Sequence, residues 1–179
     1  MIFRLSLAYG AIQAALASAA MILLLVLLGR HMIGVTRQPL PLSWPLSVTL
    51  VVASQVPLRN ALDPLERVAA KAPVMRALRA AFSLLVLALT AAASLVASVD
   101  PALLVFIALL AALGFTSVAL TGTEPWLWTL PAGMTWVGLQ FITPLGTQMA
   151  SLLSIVPVPV AIVSPILAAA LYTVNDRRA

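Results

Sequence analysis

Six apolar stretches, each near twenty residues and separated by cations and prolines, leave this chain few ways to fold. They run over about 7–28, 39–58, 80–99, 101–121, 126–148 and 152–173. A helix rising 1.5 Å per residue needs about 20 residues to cross a hydrocarbon core about 30 Å thick. Only 8% of the chain is charged, against roughly 25% in an ordinary soluble domain. The expectation is an all-α integral membrane protein: six transmembrane helices forming a single transmembrane domain over 1–179, with no soluble domain beside it.

The start, "MIFRLSLAYG", lacks the cationic region and small-residue cleavage site of a signal peptide, so the first stretch is expected to remain as an anchor. Cations set the orientation. Arg4, Arg59, Arg67, Lys71, Arg76, Arg79, Arg177 and Arg178 fall on one side of a six-span layout, and Arg30 and Arg37 on the other. That is a positive-inside pattern, with both termini cytoplasmic in a multi-pass protein of a bacterial cytoplasmic membrane. It also accounts for the net charge of +5 without nucleic acid as a partner.

The prolines are unevenly shared. The first, third and fourth stretches are smooth runs of Leu and Ala, whereas the second, fifth and sixth carry internal prolines. A proline inside a helix removes one hydrogen bond and frees a carbonyl. "SIVPVPVAIVSP", residues 154–165, is therefore read either as a helix bent for packing or as a broken, re-entrant segment near the outer face.

The cytoplasmic loop 59–79 has local order of its own. Asp63 suits an N-cap, Pro64 the first helical position, and Glu66 completes a capping box three residues on. Leu65, Val68, Ala69 and Ala72 would share one side of that helix and Glu66, Arg67 and Lys71 the other. Pro73 marks a break before Val74–Arg79 lead into the third span. The pattern predicts a short amphipathic helix on the membrane surface between spans two and three. Its plain reading is a topology signal against anionic head groups; its functional reading is a docking helix for a cytoplasmic protein.

In this layout, and in the fragment "LDPLERVAAKAPVMRALRAA", the chain resembles the membrane subunit of ABC transporters, in particular six-span exporter-type permeases of actinobacterial kind. The resemblance implies a coupling helix that docks on a separate cytoplasmic ATP-binding subunit, with Leu65, Glu66, Arg67, Lys71, Arg76 and Arg79 at the docking positions. It further implies a homodimer or a second permease subunit, with ATP and magnesium held by the partner and no cofactor on this chain. "ERVAAKAP" lacks the glycine of importer loops, which favours export.

Several chemistries are missing from the sequence. None of the eight glycines precedes a Lys-Ser or Lys-Thr pair, so there is no phosphate-binding loop. One histidine, His31, and no cysteine cannot build an imidazole or thiolate metal site. The five acids, Asp63, Glu66, Asp100, Glu124 and Asp176, fall outside the spans, against a proton-coupled transporter. No catalytic residues are expected. Inside the spans the main polar groups are Gln13, Gln55, Gln140 and Gln148, read first as helix-packing contacts. Thr135, Gln140, Thr143 and Thr147 are the candidate lining of a substrate path. Trp126 and Trp128 read as interfacial anchors. Small residues at Gly10, Ala14 and Ser18 permit close helix approach. The leading expectation is an export permease for a hydrophobic or amphipathic substrate. A non-transporting membrane scaffold or assembly subunit comes second, and a passive channel third.

Overall fold

A computed structural model describes residues 2–35, 38–58, 72–98 and 100–174. The order is α1 (Ile2–Leu28), β1 (Met32–Val35), β2 (Gln38–Pro41), α2 (Ser43–Gln55) with a 3₁₀ turn over Val56–Leu58, α3 (Ala72–Ser98), α4 (Pro101–Thr121), α5 (Trp126–Ile142), α6 (Gly146–Ile155) and α7 (Val158–Val174). The proposed capping box at Asp63–Glu66 and the amphipathic helix after it lie outside the described residues.

The protein is predominantly helical, and among the described residues two helices, α3 across Val74–Val96 and α4, are long and apolar enough to cross a membrane. A third span is reached if α6 and α7, bent by 78°, are taken together. The six spans expected from sequence are thus not met as six unbroken helices, and in the second, fifth and sixth stretches prolines are the reason. At 17 residues each, α5 and α7 rise about 26 Å, short of the hydrocarbon thickness. A residue before proline is pushed out of helical geometry. Thr143, before Pro144, has φ −101° and ψ 161° and ends α5. Val156, before Pro157, has φ −83° and ψ 116° and ends α6.

The second stretch is corrected more sharply. Pro39 and Pro41, expected in a span, belong to a strand that pairs antiparallel with β1 in the register Met32↔Pro41, Ile33↔Leu40, Gly34↔Pro39 and Val35↔Gln38. Two residues apart, both prolines lack their N–H on the same side of the strand, which an edge strand tolerates. The fold is therefore not purely α.

Helix directions follow from contacts. The Arg30 guanidinium donates to the Val96 carbonyl at 2.9 Å, and the Ser43 N–H to the Gly29 carbonyl at 3.2 Å. The C-termini of α1 and α3 and the start of α2 therefore share one end, the crown. Asp100 accepts from the Ala102 N–H at 2.9 Å, Pro101 occupies the first turn, and α4 leaves the crown for the base. Gly122, at φ 68°, ends α4 in the left-handed conformation that glycine adopts at low cost. Phe141 of α5 stacks against Trp44 and Tyr172 of α7 against Phe115, so α5 rises and α7 descends.

Because lipid is as apolar as leucine, helix association in a bilayer rests on close packing and hydrogen bonds. Here Trp44 meets Phe106 at 5.1 Å and Phe141 at 5.5 Å, while Phe106 meets Trp136 at 6.3 Å. Gly133 is placed so that an added Cβ would fall 2.7 Å from Val48. Fully buried Gln55 donates its amide to the Ala111 carbonyl of α4 at 2.9 Å, with its carboxamide lying on Gly114. Outside, Leu16, Leu23 and Leu27 of α1 and Leu85 and Leu89 of α3 are exposed, as side chains with a lipid solvent are.

Gly114→Ala is expected to destabilise the fold by about 1–3 kcal/mol through overpacking against Gln55. Thermal unfolding in detergent should show it, and the Q55A G114A double variant should lie close to Q55A alone. Equal losses added in the double variant would show that the two residues are not coupled.

Candidate functional site: the loop root, a buried polar seam and an apolar groove

Of the six proposed docking residues, Leu65, Glu66, Arg67 and Lys71 lie outside the described residues. Arg76 and Arg79 sit in the first two turns of α3, which already includes Val74–Arg79. Arg76 is half-buried, whereas Arg79 is only 4% exposed. Burying a cation is costly unless it is compensated; neither arginine is without a partner, although one Arg79 guanidinium nitrogen (Nη1) has no hydrogen bond among the described residues. Arg79 is thus part of the interior at the base, beside buried Ala80, and Arg76 is the more accessible of the two.

The proposed path residues do not form one lining. Thr135 and Thr147 are exposed, on α5 and α6 respectively. Gln140 is buried, and its carbonyl accepts from the Trp136 indole one turn earlier at 3.0 Å. Thr143 donates to the Leu139 carbonyl and accepts from the Leu145 N–H, which fixes the turn into α6. Trp126 and Trp128 are about half-exposed at the base, and the Trp128 indole donates to Thr123 at 3.0 Å.

Sequence reading missed a buried polar stripe. On α2, Ser43, Ser47 and Ser54 are all fully buried, and spacings of four and seven residues put them within about 40° of one another. On α3, Arg79, Ser83, Thr90 and Ser94 repeat the pattern at four, seven and four residues, each at most 4% exposed. The serine periodicity on α2 was the available signal. The other face of α2 carries Trp44, Val48, Val51 and Gln55 toward α4 and α5.

Some hydroxyls bond to their own helix, Ser54 to the Val51 carbonyl and Thr90 to the Val86 carbonyl among them. Those of Ser18, Ser43, Ser47 and Ser83 have no hydrogen-bond partner among the described residues. Small side chains let α1, α2 and α3 approach closely.

Two further features join the base to the middle of the bundle. The Tyr172 hydroxyl donates to the Leu58 carbonyl at 2.7 Å, tying α7 to the last described residue of the segment before α3. Between α3, α4 and α7 lies an open apolar groove of about 350 Å³. Its floor is built by Ala88, Ala91, Ala108 and Ala111, with Pro165 and Ile166 opposite. Pro165 frees the carbonyl four residues back, and the Ser164 hydroxyl donates to that Ala161 carbonyl at 2.8 Å. The groove wall therefore stays apolar. Among the described residues no three His, Cys, Asp or Glu side chains are grouped for a metal ion.

Compared with known proteins, the chain matches no family model, no curated protein and no solved structure.

Arg79→Glu is expected to lower stability by about 3 kcal/mol or more, since it leaves a reversed charge buried. Arg76→Glu should change it by no more than about 1 kcal/mol. Monodisperse yield and thermal midpoint in detergent check the difference; equal effects would place both arginines on the surface.

Proposed function

We propose that this chain is the membrane-spanning subunit of an ATP-driven exporter, paired with a separate cytoplasmic ATP-binding subunit and moving a hydrophobic or amphipathic substrate. In this reading the chain crosses the membrane six times, with α6 and the 78° bend at Val156–Pro157 forming a broken element at the crown. Glu66, Arg67 and Lys71 dock the ATPase, which binds ATP and magnesium, and two permease subunits meet as a dimer.

The observation that carries the reading is the link from Tyr172 to Leu58. Leu58 is fully buried at the root of the loop, and Tyr172 belongs to the helix that forms one wall of the groove. A push on the loop by a closing ATPase pair would move α2 and α3 at their base and carry α7 with them. The groove wall at Pro165 and Ile166 would shift against α3 and α4, changing access for an apolar molecule. The alternation of helix direction supports the same reading, because it sets the loop and both chain ends on one side.

A non-transporting membrane scaffold is the second reading. It is favoured by the aromatic cluster of Trp44, Phe106, Phe141 and Trp136, which fills the interior of the bundle toward the crown, where a translocation path would have to open.

Affinity purification in nanodiscs followed by mass spectrometry decides between them: a stoichiometric ATP-binding subunit is expected, and a different membrane complex would favour the scaffold. Reversing Glu66 and Arg67 together should weaken that association at least about tenfold while membrane insertion is retained. Tyr172→Phe removes one buried hydrogen bond, worth about 1 kcal/mol. It should leave ATPase binding intact and reduce substrate-stimulated ATP hydrolysis; unchanged stimulation would rule out the link as the route of coupling.

A further inference from the structure

We infer that the groove between α3, α4 and α7 seats one acyl chain of a phospholipid from the surrounding bilayer, with the lipid's phosphate at Arg76. This rests on the chain lying in a membrane and not on its pairing with an ATPase.

Depth gives the first reason. The groove is borne by the two helices that can cross a membrane, and on α3 it extends from Leu84 to Ala91, near the middle of the apolar window Val74–Val96. Arg76 is eight residues closer to the base than Leu84, and Ala91 is fifteen beyond Arg76, about 22 Å along the helix. Half of a bilayer 40–45 Å thick with its head groups is roughly 20–22 Å. A lipid with its phosphate at Arg76 would therefore lay its chain along the whole groove.

Charge and shape give the second. Arg76 and Leu87, a groove residue, are eleven residues apart and lie within about 20° of each other around α3. Arg76 is half-buried and engaged, and a guanidinium carries five N–H donors, enough to serve a protein acceptor and a phosphate together. The groove's volume of about 350 Å³ is at the small end for ligand sites, the size for one hydrocarbon chain rather than a whole lipid. Elsewhere α3 meets lipid with protruding leucines, Leu85 and Leu89. At the groove, four alanines make a hollow that surrounding chains would have to fill or leave empty.

The test uses the full-length chain in vesicles containing a phospholipid with a diazirine midway along one acyl chain. After photolysis, adducts mapped by mass spectrometry should concentrate on Ala88, Ala91 and Ala108 over Leu85 and Leu89. Exposed Ala88 can be enlarged without disturbing the core, so Ala88→Trp should abolish the groove adducts and spare those on Leu85 and Leu89. Arg76→Gln should lower the preference for phosphatidylglycerol over phosphatidylcholine probes about fivefold. Labelling spread evenly over α3, or groove labelling unchanged in Ala88→Trp, would overturn the site. Crosslinks through the groove between two copies of the chain would assign it to a subunit contact instead. An unaltered lipid preference in Arg76→Gln would remove the head-group part. None of these readouts involves the ATPase, so a failure here is separable from a failure of the transport reading.

Discussion

Backbone polar groups surrounded by hydrocarbon can be satisfied only by the protein itself. A chain this apolar is therefore held to helix wherever it meets lipid, and each proline forces a local repair or a break. The repair at Pro165 is made by Ser164, one residue away, and α7 continues through it. At Pro144 and Pro157 the preceding residues go extended and the helices end. At Pro39 and Pro41 the chain leaves helical geometry for a two-stranded ribbon whose outer edge needs no donors. The irregular architecture at the crown, a ribbon on one side and a short transverse helix on the other, descends from these sites.

The regular part of the fold was legible because it rests on local rules. The start of α4 at Asp100–Pro101 and its end by Gly122 follow from capping chemistry that a sequence displays directly. The run of α3 after Pro73 was likewise readable, since no later breaker interrupts it. The fate of the other prolines was not, because bending, repair and termination start from the same residue. Ser164 meets the freed carbonyl at Pro165, whereas Thr143 goes extended before Pro144 and ends α5. The burial of Arg79 was hidden for a similar reason: a basic residue near a span end reads as a surface cation until the neighbouring helices are in place. The groove is formed by α3, α4 and α7, so no single segment announces it, although its alanines stand in plain sight.

Within this scaffold α2 has an unusual position for so short a helix. One face offers serines to the side shared by α1 and α3; the other offers Trp44, Val48 and Gln55 to α4 and α5. The contrast divides the bundle into a side built from close approach of small polar residues and a side built from interlocking aromatic rings. Rings at 5–6 Å resist sliding, while a seam of small hydroxyl side chains has low corrugation. Relative motion of helices in this protein is therefore most easily accommodated along α1, α2 and α3, with α4 as the stationary member.

The bond between Tyr172 and Leu58 closes over 114 residues of chain. At a synthesis rate of about 5–20 residues per second, roughly 6 to 23 seconds separate the emergence of its two ends from the ribosome. Throughout that interval the base of α2 is without its clasp, while α3 and α4 emerge and join α1 and α2. The bundle is consequently assembled from an open precursor that α7 later locks. A chain lacking α7 would leave the base of α2 unfastened, so the helices made first depend on one made much later for the closure of their own lower end.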